Sequence, residues 1–341
     1  MEKEKKDPFY RFIIGGIAGI TAKTTVAPLD RVKILIQGRK KTYVNLGPFQ
    51  ILIEVYKENG IKGLFQGNLT QLLRVFPYSA VQFFTYSMYS DACNTIGLRT
   101  AVGLEKFVSG SLAGMTACTL TYPLDLIRAR IAFQDKHSKF YHLVHKEKVL
   151  TDVSFYGPDL EIQKNPNSFP RFQHHYYKGI WDAFVTIFKY ENGIFGLYKG
   201  FSPTLIGMAP YAGTSFYTFE SMKKLSILYV GNSFLVTNKK DSKKHLSVYG
   251  NLICGSVAGL VAQTVSYPLD VVRRTMQLNI NKGTHHRMDG KRRTWLSVMN
   301  KLISKYGVSK GLFRGMTINY IRVVPVVSVS FTVYETLINK I

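Results

Sequence analysis

Three copies of one short motif constrain this chain more than any other feature: Pro28-Leu29-Asp30-Arg31-Val32-Lys33, Pro123-Leu124-Asp125-Leu126-Ile127-Arg128 and Pro268-Leu269-Asp270-Val271-Val272-Arg273. Each copy closes an apolar, Gly-rich stretch of roughly the 20 residues that a membrane helix needs. Each is followed by a second signature: ENGIKGLFQG ending at Gly67, ENGIFGLYKG ending at Gly200, and YGVSKGLFRG ending at Gly315. A two-part motif recurring three times in one order means three tandem copies of one structural unit. The units run 9–97, 103–230 and 246–341. The wider interval between the second and third motif prolines places an insertion near 135–176, inside the second unit. It holds Gly157-Pro158, Asn165-Pro166 and Pro170 without a sustained helical period, so it reads as an extended polar loop.

The formal net charge is +24. An excess of that size announces an anionic partner. Nucleic acid is not the expected one, because the basic residues border long uncharged runs and form no single basic face. Residues 107–124, 200–219 and 246–269 carry no Asp, Glu, Lys or Arg. Three further candidate spans, 10–37, 69–91 and 315–338, are interrupted by Lys23, Arg74 and Arg322, and a hydropathy scan is expected to score them weakly. Charges inside a span are costly and face a partner or a water-filled path. Six spans, half of them with interior cations, describe an all-α membrane transporter.

Enzyme chemistry has little support. No GxSxG, HExxH, CxxC pair or P-loop is present, and no metal-ligand spacing is found. Cys93, Cys118 and Cys254 form no even framework and read as reduced structural thiols. The first nine residues mix Lys3, Lys5 and Lys6 with Glu2, Glu4 and Asp7, unlike a signal peptide or an Arg-rich transit sequence. An even number of spans puts both termini on one side. The long loops 38–68, 135–199 and 278–314 then share the other side, and the basic character of the third marks it as the inside.

Proline removes a backbone donor and bends a helix, so Pro28, Pro123 and Pro268 are each expected to kink a long helix near its inner end. The acid and base that follow stand three residues apart, on one helix face. Around a threefold pseudo-axis the acid of one unit meets the base of the next. The predicted pairs are Asp30–Arg128, Asp125–Arg273 and Asp270–Lys33. Such a ring closes the inner mouth of a central cavity, and it can reopen because ion pairs near water are individually weak. Gly67, Gly200 and Gly315 then start the even-numbered helices, where free backbone N–H groups suit either a lipid phosphate or plain capping.

The motif of proline, any residue, an acid, two residues and a base, taken three times with its Gly-flanked second element, resembles the mitochondrial carrier family over almost the whole chain. The resemblance implies six kinked helices in a threefold barrel and a central site reached alternately from each side. It also implies the mitochondrial inner membrane, both termini in the intermembrane space, and bound cardiolipin with no other cofactor. A monomer is expected. Substrate contacts in that family match Arg74 in LLRVFPY, Gly207 and Met208 in IGMAPYAG, and Arg322 in NYIRVVP. Lys23 matches a cavity lysine of nucleotide carriers, and Tyr211 reads equally as a residue that stacks or bonds nearby and as one that packs. A Gly followed by an apolar residue looks like an adenine contact, and the two Arg look like phosphate clamps.

AKTTVAPLDRVK, RVFPYSAVQFF and GMAPYAGTSFYTFE together look most like the coenzyme A carrier branch. The alternative is an adenine-nucleotide exchanger of mitochondria or peroxisomes. The ADP/ATP exchanger itself is disfavoured, since Arg273-Arg274-Thr275-Met276 stands where its RRRMMM run would be. The family's outer gate is incomplete here. Phe219-Glu220-Ser221-Met222-Lys223 fits it, Tyr86 to Ser90 carries no charge, and Tyr334-Glu335 is followed by Ile338 at the basic position. Only Lys223–Glu335 is left as an inter-unit bridge.

Overall fold

A computed structural model describes residues 8–39, 43, 46–96, 104–134, 177–229, 235–237, 244–246, 248–278 and 294–340. The insertion near 135–176 and the basic stretch 279–293 lie outside the described residues. Each unit is a long helix, a short amphipathic segment and a second long helix. The first unit holds α1 (Pro8–Thr25), α2 (Ala27–Gln37), α3 (Pro48–Leu64) and α4 (Asn68–Thr95). The second holds α5 (Leu104–Phe133), α6 (Ile180–Tyr190), α7 (Ile194–Leu197) and α8 (Phe201–Tyr229). The third holds α9 (Val248–Leu278), α10 (Trp295–Tyr306), α11 (Val308–Leu312), α12 (Met316–Ile321) and α13 (Val323–Lys340). Between the second and third units, strands β1 (Leu235–Thr237) and β2 (Lys244–Leu246) pair antiparallel. This short ribbon departs from the all-α expectation.

The motif prolines act differently in the three units. The first helix breaks at Val26, two residues before Pro28, whereas α5 and α9 run on through Pro123 and Pro268. Missing N–H groups are tolerated inside long helices when neighbouring helices support the backbone. The last long helix is also interrupted, at Arg322, three residues ahead of Pro325.

Among the described residues two helices, Gly250–Leu278 and Met316–Ile338, are apolar enough to qualify as spans on length and composition alone. The second corrects the expectation of a weak score for 315–338. Its Val-rich sequence outweighs Arg322, while the charge-free 200–219 is diluted by Ser, Thr, Gly, Pro and Tyr. Apolar side chains on the outer faces, among them Phe84, Leu120, Tyr217 and Val324, are 62–75% exposed. That is the arrangement of a chain whose solvent is lipid.

The closest helix packing is between units. The α4 helix lies along α5, α8 along α9, and α13 returns to α1. The glycines that start the even-numbered helices make this packing possible. Gly67, Gly200 and Gly315 have φ of 85°, 79° and 77°. A Cβ on Gly200 would sit 3.0 Å from the Arg273 carbonyl, and one on Gly67 would sit 3.1 Å from that of Arg128. Small residues here bring the start of one unit's second helix against the base of the next unit's motif.

Candidate functional site

The three motifs converge at one end of the bundle. Arg128 donates to Asp30 at 2.6 Å and Arg273 to Asp125 at 2.6 Å, while Lys33 stands 3.6 Å from Asp270. These are the three pairs the motif spacing names, and each joins the acid of one unit to the base of the next. Asp30 and Asp125 are almost wholly buried, at 4% and 2% exposure. Ion pairs so enclosed stand only with further hydrogen bonds to satisfy their remaining lone pairs.

Those bonds come from residues placed elsewhere by the sequence reading. Arg74 on α4 donates to the free oxygen of Asp125 at 2.8 Å and to Thr121 at 3.1 Å. Arg322, between α12 and α13, donates to the free oxygen of Asp30 at 2.6 Å. The two arginines assigned to the substrate therefore also hold the ring: each buried carboxylate accepts from two guanidiniums, one per oxygen. The third corner is different. Met208 and Gly207 occupy the matching place on α8, where no base can reach Asp270. Asp270 accepts instead from Gln263 at 3.0 Å, and Lys33 makes its shorter bond to Asn319, at 2.8 Å. The Asp270 side chain is 33% exposed.

Four residues that the sequence reading missed complete the ring. Tyr122 and Tyr267 each precede a motif proline, and Gln37 and Gln277 each stand nine residues after one. Gln277 donates to Tyr122 and to Asp125, both at 3.0 Å, and Gln37 donates to Tyr267 at 3.3 Å. The two tyrosines donate onward to the carbonyls of Lys199 and Arg314, just before Gly200 and Gly315. The repeated offsets were a readable signal, but polar residues at a helix end are ordinary unless the partner across the unit boundary is known.

Lys23 is partly buried and makes no ion pair among the described residues. It lies in the electrostatic fields of Asp30, Arg322, Arg128 and Arg74. Gly207 packs on Leu269, and Met208 reaches toward Gly114 on α5 beside Tyr78, whose ring lies 5.3 Å from the Arg74 guanidinium. Tyr211 is 41% exposed. At the far end Glu220, Lys223 and Glu335 enter no ion pair among the described residues, so the proposed Lys223–Glu335 bridge is not made. The motif ring is thus joined by ion pairs between units, while Glu220, Lys223 and Glu335 at the opposite end are not, among the described residues.

A buried network outside the spans fixes the second unit. Arg130 donates to both oxygens of Glu191 at 2.8 and 2.9 Å, Lys199 bonds the same carboxylate, and Arg130 also meets the Gln277 carbonyl. Burial pushes the Glu191 carboxyl up, but the Arg130 hydrogen bonds and charge, with Lys199, outweigh it and hold the group below its ordinary value.

The comparisons with known proteins agree with this architecture. The family model described as mitochondrial carrier protein matches residues 4–95, 101–151, 161–229 and 244–341. The chain belongs to the mitochondrial carrier family. This carrier is 40% identical to solute carrier family 25 member 16 of Homo sapiens, over 95% of this chain and 86% of that one. It is 38% identical to the mitochondrial carrier protein CoAc1 of Zea mays, over 95% and 84% of the two chains. It is also 36% identical to the mitochondrial substrate carrier family protein P of Dictyostelium discoideum, over 98% and 95%. The carrier is accordingly a transporter of the mitochondrial inner membrane, and the converging motifs lie where a carrier's three repeats meet.

Proposed function

We propose that this carrier moves coenzyme A across the mitochondrial inner membrane by alternating access, with both termini in the intermembrane space and the ring of Asp30, Asp125 and Asp270 facing the matrix. The observation that carries the mechanism is the double commitment of Arg74 and Arg322. Each is a long, always-charged fork at the cavity floor, and each is bonded to a carboxylate that already has a base. Lys23, with no ion pair among the described residues, meets an entering anion first. Phosphate groups then draw Arg74 from Asp125 and Arg322 from Asp30. Each carboxylate keeps one base, the ring weakens, and the matrix end parts.

Coenzyme A suits this floor. It carries an adenine for the notch at Gly207 and Met208, a pyrophosphate and a 3′-phosphate for the arginines, and a long neutral arm. The exposure of Tyr211 on α8 supports assigning it a contact to the same substrate. The CoA in the names of the maize and Arabidopsis thaliana relatives supports the reading. The unpaired state of Lys223 and Glu335 supports an outer gate with less ionic locking than the inner one. Cardiolipin phosphates at the starts of α4, α8 and α12 fit the positive-φ turns of Gly67, Gly200 and Gly315. An adenine-nucleotide exchanger is the second reading, favoured by the same contacts because coenzyme A contains an ADP moiety.

The test is uptake by proteoliposomes holding the purified carrier, with labelled coenzyme A and labelled ADP each offered against the other inside. Saturable coenzyme A uptake, lost in Arg74→Ala and Arg322→Ala, is the expected result. Uptake of ADP with coenzyme A ignored would assign the carrier to the second reading.

A further inference from the structure

The ring has three corners but only two tyrosine–glutamine braces. Tyr122 of the second repeat meets Gln277 of the third, and Tyr267 of the third meets Gln37 of the first. By register, the remaining brace would join the residue before Pro28 to the residue nine after Pro123. Those residues are Ala27 and Ala132. Both are buried, at 5% and 1% exposure, and together they remove a phenol and a carboxamide from the middle of the Asp30–Arg128 corner.

A cavity lies at that spot. Ala27 and Ala132 line it, with Asp30 and Arg128 on one side and Gln66, Asn68 and Gln71 at the start of α4 on the other. It has room for about one water molecule. Its polar lining is unsatisfied by protein: Gln71 Oε1, Asn68 Oδ1 and Gln66 Nε2 are buried without a hydrogen-bond partner, and Gln71 as a residue is only 9% exposed. Three orphaned polar atoms around a water-sized space differ from an apolar void, which stays dry. Leaving such atoms unpaired when buried is destabilising.

We propose that this corner is a hydration site, in which a buried water takes the place of the missing tyrosine–glutamine pair and bonds Gln71, Asn68 and Gln66 beside the Asp30–Arg128 ion pair. Arg31 and Arg128 line the same space, so it does not suit a bare metal ion, and its volume, about that of one water, suits a single water better than a larger anion. A water is shed and regained without moving a side chain, so the hydrated brace at this corner yields more readily than the two tyrosine–glutamine braces made by protein alone.

Two variants of the full-length carrier test it, by thermal unfolding in detergent and by turnover in proteoliposomes. Gln71→Leu removes one acceptor at similar volume. With a water in place it strands that water and lowers the unfolding temperature. In a dry cavity it deletes an unsatisfied group and raises the unfolding temperature or leaves it unchanged, which overturns the proposal. Ala27→Tyr with Ala132→Gln rebuilds the third brace in the cavity. Unfolding at a higher temperature than either single variant, with turnover slowed severalfold, is expected. Turnover equal to wild type in a carrier stabilised by the pair would overturn the claim that the hydrated brace yields more readily than a protein one.

Discussion

Arg74 on α4 and Asp125 on α5 are bonded at 2.8 Å across the boundary between the first and second repeats. In the proposed mechanism the bond spans the two tasks of a carrier, with one end assigned to the cavity floor and the other to the gate beneath it. A residue in that position transmits occupancy of the site to the lock without any intermediary.

Arg74→Lys is expected to cut uptake at least about tenfold, equivalent to about 1.4 kcal/mol. Lysine keeps the charge but cannot reach Thr121 and Asp125 together, because a single ammonium lacks the planar fork. Initial uptake rates at saturating and low substrate, compared with Arg74→Ala, check this. Wild-type rates in the lysine variant would show that charge alone suffices.

The corners should differ in strength. Asp125 is enclosed and accepts from Arg74, Arg273 and Gln277, so Asp125→Ala strands two guanidiniums and is expected to cost roughly 3–5 kcal/mol of stability. Asp270 is a third exposed and 3.6 Å from its lysine, so Asp270→Ala should cost much less, on the order of 1 kcal/mol. Unfolding temperatures of the two purified variants rank them directly.

The outer gate offers a matched control. Lys223→Ala should reduce transport less than Asp125→Ala, because Lys223 has no ion pair among the described residues and only Glu335 as a candidate across the repeats. Equal or reversed losses in liposomes would mean that the outer end is locked as tightly as the inner.

Acid should loosen the second repeat first. The Glu191 carboxyl titrates lower in the folded carrier than in the unfolded chain, so the unfolded chain binds the proton more readily. Its contribution to stability is therefore present above the unfolded value, roughly 4.3, and is lost as pH falls through the folded one. Glu191→Gln should flatten the fall in unfolding temperature on the acidic side. An unchanged acid limb in that variant would assign the loss to other carboxylates.

Gly200→Ala should destabilise the carrier by roughly 1–2 kcal/mol from the left-handed backbone alone. The added methyl would also press on the Arg273 carbonyl at 3.0 Å. Loss of stability in detergent without added lipid would separate this packing effect from any lost contact to cardiolipin.

Much of this was legible in the sequence because ionised residues inside apolar helices are rare and their repetition is rarer. Asp30, Asp125 and Asp270 could thus be matched to Arg128, Arg273 and Lys33 from spacing alone. The second bonds of Arg74 and Arg322 were not legible. They depend on α4 lying along α5 and on α13 returning to α1, relations that no local period records. The braces at Tyr122 and Gln277 were hidden for the same reason, since each half lies in a different repeat. Composition misled at 315–338, where the presence of one charge was weighed above a Val-rich surrounding.

The ring gives each repeat an acid that serves one neighbour and a base that serves the other. A repeat cut from the chain would carry only unmatched halves, with no partner for either charge within itself. Inheritance of such a protein is therefore bound in a circle: a change tolerated at one motif is judged by the next repeat along, and the third repeat answers to the first.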